Sequence, residues 1–451
     1  MKLRDVVPAP RSRRRSVIEL GKDLLILLLV CSAVYLSARS QLYHISGDSW
    51  LGQIVERVRG EALPTVAPAG QGTWDGTVHP VRLAVCLPGE TVLRYGVQYD
   101  EEQLDRDYAA LEGFLSEALA SARDPEKISE RAWREALSTP GVYFGLLGTV
   151  PMQALCRWSA EGGAAAELSG SVRRLILVEQ AGAETAVLCY RNEEDGSYYA
   201  CATSVLIEGY LEQALWDYTD NGARFAYELS GEDYAELAPE TMILPDAPTP
   251  ERYQAAGGLD LADDAVRGEL ERLLGFRGTD YAVPGEWVLR DGDTLRLSED
   301  GTLAYDSAGQ EGAARYPVAG DDAASALDVV WSLLNDAETA WSGGANAASL
   351  CLWSAEMPAD GAWSFTFSYV LDGAPVLVDG KPAAVFQIED GHIARYELCL
   401  RSYTAVGETA LVLPERQAAA ALRGLEMEGQ RELALCYEDS GGTVDVVWTA
   451  R

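Results

Sequence analysis

Trp363-Ser-Phe-Thr-Phe-Ser-Tyr369 sets a ring at every second residue, so Trp363, Phe365, Phe367 and Tyr369 share one face of a β-strand. From Leu350 onward the chain reads mostly as strand, and Asp372-Gly373, Asp379-Gly380 and Asp390-Gly391 punctuate it as turns of an antiparallel meander. Upstream, a helix is expected after Asp321 with Ala323, Leu327, Val330 and Leu334 on its inner face. That helix is one cover for the four rings; the other reading makes the ring face the lining of a binding site. Pro414 opens a further helix ending near Gly424, and two closing strands run to Trp448.

A similar order of helix and hairpins comes before it. Asp260 can cap a helix carrying Val266, Leu270 and Leu273, with Gly275 at its stop, and Asp291-Gly292 and Asp300-Gly301 then turn short strands. Further upstream, residues 100–137 read as helical, with Leu104, Tyr108, Leu111, Leu115 and Ala118 on one stripe and a break at Asp124-Pro125. Trp133 and Leu137 mark the shorter segment beyond it. Strands follow at Arg174–Val178, Ala186–Tyr190 and Tyr198–Ala202, the last two flanking the Glu193–Gly196 turn, then a helix near Gly209–Tyr218. Pro245, Pro248, Pro250 and Gly257-Gly258 mark a boundary. The pattern is α+β: antiparallel sheets with packed helices, expected as an N-terminal domain over 79–250, a middle module over 258–320 and a C-terminal module over 321–451.

The 451 residues are 48% hydrophobic and 24% charged, as in an ordinary globular chain. Acidic residues number 70 against 36 basic, a net charge of −34, and the balance is uneven. Residues 1–23 hold seven basic and three acidic side chains, whereas 46–451 hold 28 basic and 67 acidic. So acidic a body repels polyanions, which excludes a nucleic-acid partner.

From Leu24 to Ala38 no residue is charged, and Arg39 with Ser40-Gln-Leu-Tyr43 extends the apolar segment to about 20 residues, the length of a membrane span. The basic residues before it predict a cytoplasmic tail (1–23), a transmembrane anchor (24–43), a tether (44–78) and extracytoplasmic domains in a single-pass cell-membrane protein. A signal peptide cleaved near Ala38-Arg39-Ser40 and a buried core helix are the competing readings. A lipoprotein signal fails, because Cys31 follows Val30 and the apolar run continues past it.

Chemistry is sparse. His44, His79 and His392 have no second histidine or cysteine at metal-ligand spacing, and neither a G-x-S-x-G elbow nor an H-E-x-x-H helix occurs. Asp291, Asp293, Glu299 and Asp300 suggest a calcium loop only until Leu295 and Leu297 are seen in positions that need oxygen ligands. Outside the span lie seven cysteines in mostly apolar strand patterns, which read as buried thiols; Cys189 and Cys201 are the one pair that a hairpin could bring together. No cofactor and no catalytic residue is expected.

The order of features, together with Ile128-Ser-Glu-Arg-Ala-Trp133, Tyr143-Phe144, Val150-Pro-Met152, Arg174–Leu177, Tyr198-Tyr199, Leu295–Gly301 with Leu303-Ala-Tyr305, Phe367-Ser-Tyr369, Gly373–Val376 and Asp390–Ile393, resembles the YycH family and its shorter relative YycI. The chain is more acidic and richer in Ala and Gly than that family's usual pattern, and its tether is longer. The resemblance implies a non-catalytic accessory regulator of a membrane sensor histidine kinase of the WalK (YycG) type that controls cell-wall metabolism, with a YycI-like protein as a possible second partner. It also implies that Leu24–Leu36 packs against the partner's helices, where Ser32, Ala33, Ser37 and Ala38 permit close approach; ordinary anchor composition explains those four equally well. Two other functions compete: a tethered extracytoplasmic binding module for a peptide or cell-wall fragment, using the ring face, and a membrane-anchored hydrolase of unrecognised type.

Overall fold

The computed structural model describes residues 78–450 except 79, 160–167, 181, 231–233, 259, 309–314, 343–347, 358–361 and 424–430. Strands β1 (Pro80–Leu87), β2 (Leu93–Gln98), β3 (Arg123–Ile128), β4 (Gly141–Pro151), β5 (Ser171–Val178), β6 (Thr185–Asn192) and β7 (Tyr198–Leu206) make a first sheet in the order β2-β1-β4-β5-β6-β7-β3. Every pair in it is antiparallel. Helices α1 (Glu101–Ser121), α2 (Glu130–Leu137) and α3 (Met152–Ser159) fill the connections, and α4 (Glu212–Leu215) follows the last long strand.

Asp100 caps α1 through its side chain, and the stripe Leu104, Tyr108, Leu111, Leu115 and Ala118 is buried. The expected helical stretch over 100–137 is nevertheless interrupted by strand β3 as well as by a break. Arg-Asp-Pro-Glu-Lys-Ile shows no alternation, and it pairs with β7 at the sheet's edge, where a proline is tolerated. The opposite edge, β2, is covered: the Asn221 side chain donates to Gly96 O at 2.7 Å and accepts from Gly96 N at 3.0 Å, satisfying the backbone as a neighbouring strand would.

Short strands β8 (Arg224–Phe225) and β9 (Met242–Ile243) pair with each other, and β10 (Glu251–Gly257) starts a ribbon that β20 (Arg401–Thr409) completes. The second sheet has eleven strands: β11 (Thr279–Val283), β12 (Glu286–Asp291), β13 (Asp293–Ser298), β14 (Thr302–Asp306), β15 (Ser349–Glu356), β16 (Trp363–Leu371), β17 (Ala374–Val378), β18 (Ala384–Glu389), β19 (His392–Cys399), β21 (Leu433–Asp439) and β22 (Asp445–Ala450). Its path is β11-β12-β13-β14-β19-β18-β16-β17-β21-β22, with β15 also on β16, and only β17–β21 is parallel. Helices α5 (Asp264–Leu273), α6 (Ala323–Ser342) and α7 (Glu415–Arg423) accompany it. Asp372, Asp379 and Asp390 each take a positive φ near 50° before a glycine with φ above 70°, the backbone that a two-residue hairpin turn requires.

The two sheets meet where β4 bulges between Gly145 and Val150. Gly148 lies against the carbonyls of Leu352 and Trp353 in β15, each of which would stand 2.3 Å from an added Cβ. Beside it Val81, Leu147, Cys351 and Val370 form a small apolar cluster.

One expectation is corrected. No helix among the described residues is long and apolar enough to cross a membrane. The longest, α1, buries a single apolar stripe and carries carboxylates on its other face, as a helix packed on a sheet does. The segment expected as a span, 24–43, lies outside the described residues, as do Ser32, Ala33, Ser37 and Ala38. The fold is therefore α+β without a transmembrane helix among its described residues. The single-pass cell-membrane topology with extracytoplasmic domains, and regulation of a kinase through such an anchor, are set aside with it.

A glycine pair tests the junction. Gly148→Ala is expected to destabilise the protein by about 1–3 kcal/mol, because backbone oxygens cannot move aside as a side chain can. Gly113→Ala, in α1 with no atom within 4 Å of the added carbon, should instead stabilise by about 0.5–1 kcal/mol. Urea unfolding of both variants checks this; an unchanged midpoint for Gly148→Ala would show that the sheets do not approach so closely.

Candidate functional site

Sequence position alone hides the largest polar feature, a buried ion cluster. Arg82 of β1, Gly145 of β4 and Arg174 of β5 stand in one cross-strand row, and the Tyr143 ring, 3.1 Å from where a Gly145 Cβ would stand, takes the space beside the glycine. A register irregularity beside Arg174 lets its neighbour Arg173 reach the same point. All three guanidiniums converge on Glu432, just before β21: Arg82 in direct contact, Arg173 at 2.8 Å and Arg174 at 3.1 Å. Arg174 also holds Glu240 at 3.0 Å and Glu193 at 2.7 Å. Glu432 is 3% exposed and Glu240 2%, so these charges are closed on one another and hold structure.

The candidate surface site lies next to this cluster. A cleft of about 610 Å³ opens between the β2–α1 junction, the Leu244–Thr249 connection and the β16–β17 turn. Tyr99 turns the chain with a φ of 59°, which aims Asp100, Glu101 and Glu102 into the opening. Asp246, Glu251 and Asp372 complete six carboxylates, and no Lys or Arg lines the cleft. Asp372 is fixed by the hydroxyls of Tyr253 at 2.9 Å and Tyr437 at 2.8 Å and by the Glu251 amide at 3.0 Å. Burial, then the charges of Asp105 and Asp372, push Glu101 up to about 7.

Behind the floor sits Glu415, the first residue of α7 and 2% exposed. It accepts from Gln98 Nε2 and from the Leu244 amide, both at 2.5 Å, so one carboxylate ties together two residues of the cleft lining. Burial outweighs these donors and the nearby Arg82, and pushes Glu415 up to about 8.

No Cys, Ser, His or Lys lines the cleft, and its dominant chemistry is that of an acceptor for cationic groups. A second cleft, about 560 Å³, is neutralised from within: Arg315 pairs with Asp291 at 3.1 Å and Asp293 at 3.4 Å and lies 3.9 Å from the centre of the Phe276 ring. Two of the supposed calcium ligands are thereby committed to an arginine, and among the described residues no three His, Cys, Asp or Glu are grouped to hold a metal ion.

The ring face is placed in the core. Phe365, Phe367 and Tyr369 are fully buried, Trp363 is half-buried, and Trp331 of α6 stacks on Phe367. His392 begins β19, away from the cleft lining, and His44 and His79 lie outside the described residues. Cys189 and Cys201 are not joined by a disulfide: Cys201 stands opposite Leu188 and Cys189 opposite Ala200, which puts them on opposite faces of the sheet.

No protein-family model and no curated protein matches the chain. The crystal structure of YycH from Bacillus subtilis does match in fold, with a TM-score of 0.50 and 12% identity, covering 83% of this chain and 93% of that one. The chain has a YycH-like fold. A crystal structure of an uncharacterized protein from Eubacterium rectale matches with a TM-score of 0.30 and 12% identity over 46% of this chain and 78% of that one.

Glu415 gives a signed pH dependence. The native state keeps its proton up to about pH 8, while the unfolded chain releases it near 4.5, so between those values the native state binds more protons. Stability should therefore fall as pH rises through this window, by at most about 1.4 kcal/mol per pH unit, and level off above it. Glu415→Gln should remove that contribution, leaving below about pH 7 those of Glu101 and Glu338, which act in the same direction. Urea midpoints measured across the window check this; identical slopes in parent and variant would show that Glu415 is ionised in the native state.

Proposed function

We propose that this protein is a non-catalytic regulatory protein that acts by contact with another protein. The observation that carries the reading is the fold, shared with YycH over 93% of that chain. Two features support it. Three buried arginines are closed into ion pairs around Glu432, and among the described residues no three His, Cys, Asp or Glu are grouped to hold a metal ion. The open cleft offers acceptors for cationic groups, which suits recognition.

The partners proposed are those that the YycH resemblance implies: a sensor histidine kinase of the WalK type, and a YycI-like protein. Binding of the purified full-length chain to the purified sensing domain of such a kinase, and to a YycI-like protein from the same organism, tests the reading. A Kd of about 10 µM or tighter for either is expected. No binding to either at about 100 µM, with both partners folded, would remove these partners and leave the regulatory reading without support.

A further inference from the structure

We infer that the segment 410–414 and the carboxylate-lined cleft beside it form one docking surface for an extended segment of a partner protein that carries Lys or Arg next to apolar side chains. The inference rests on the protein-contact reading above and adds the chemistry of the partner.

Three observations combine. The first is apolar exposure. Leu411 is 100% exposed, and Val406 and Leu413 on either side are 52% and 49% exposed. Single exposed leucines are ordinary, but here three large apolar side chains within eight residues are exposed.

The second is position. The Ala410 amide donates to Pro250 O at 2.8 Å, and Pro250 lies between Thr249 and Glu251, both of the cleft lining. At the other end Glu415 binds Gln98 and the Leu244 amide, also of the lining. The segment is thus hydrogen-bonded at both ends to the chain that forms the cleft walls, and Trp448 Nε1 holds Leu413 O at 2.9 Å between them. The apolar side chains are presented on a backbone already in place, which lowers the ordering cost of binding.

The third is charge. Six carboxylates face the cleft with no Lys or Arg among them. Among the described residues they are not grouped as a metal site; Glu101 holds its proton to about pH 7 and Glu102 pairs with Arg106 at 3.7 Å, which leaves Asp100, Asp246, Glu251 and Asp372 as the further acceptors. A spread of acceptors suits a chain with a flexible cationic side chain better than one small ion. A second copy of this chain is disfavoured, because residues 46–451 carry 67 acidic against 28 basic side chains and copies repel.

The probe is a fluorescein-labelled peptide, Gly-Leu-Lys-Val-Arg-Leu-Gly, with a control in which Glu replaces Lys and Arg. Anisotropy on the full-length chain should show binding of the basic peptide only, weakening as salt is raised. Leu411→Ser and the double variant Asp246→Asn, Glu102→Gln change exposed residues and should each weaken it about tenfold. No binding, equal binding of the acidic control, or changes below about twofold in both variants would overturn the surface. Capture of the kinase domain by Leu411→Ser as strongly as by the parent chain would also overturn it while the regulatory reading stood. Leu411-dependent peptide binding with no capture of either partner would support the surface and remove those partners.

Discussion

Glu432 sits beneath three guanidiniums, and much of the described structure follows from the need to neutralise it out of water. A buried carboxylate without partners would cost several kcal/mol, as would three buried arginines, so each side of the cluster is viable only when the other is present. Arg82 and Arg174 flank Gly145 on the first sheet, and Glu432 is delivered by the residue pairing of Leu237 with Arg431, just ahead of β21 in the second sheet. The closing strands of the chain are thereby pinned to its first strands. Glu240, on Arg174 and near Arg191, brings the intervening connection into the same cluster.

The cluster also explains where the surface charge is left over. Arginines are fewer than carboxylates, and Arg82, Arg94, Arg173 and Arg174 are each less than 9% exposed. No Lys or Arg lines the cleft beside them, and burial above all makes Glu101 and Glu415 hold their protons to unusually high pH. An acidic opening and a rigid apolar strip are what a partner from outside would have to satisfy.

How much of this is legible in the sequence differs by element. The stripe of α1, strands β5 to β7, the hairpin turns at Asp372, Asp379 and Asp390, and helices near 323 and 415 all follow local periodicity or turn chemistry, and they stand close to where they are expected. Strand β3 is hidden because its six residues, four of them charged, carry no alternating pattern; only pairing with β7 makes it a strand. The ion cluster was hidden for another reason. Its members are 258 residues apart at Arg174 and Glu432, and only tertiary folding joins them. A signal did exist: Arg173 and Arg174 interrupt the buried strand Ser171–Val178, and an arginine inside an apolar strand needs a partner. The cleft left no signal at all, since 70 carboxylates make any local group of them unremarked. The ring stripe of β16 could be read as one face, but which layer covers it depends on α6.

The most direct measurement is the unfolding free energy of Glu432→Gln, which keeps the shape of the side chain and removes its charge. If Glu432 neutralises three buried arginines, the variant loses about 3–5 kcal/mol relative to the parent in urea, a large share of a protein's net stability. A change within about 0.5 kcal/mol, the size expected at an ordinary surface position, would contradict the central place given to this carboxylate.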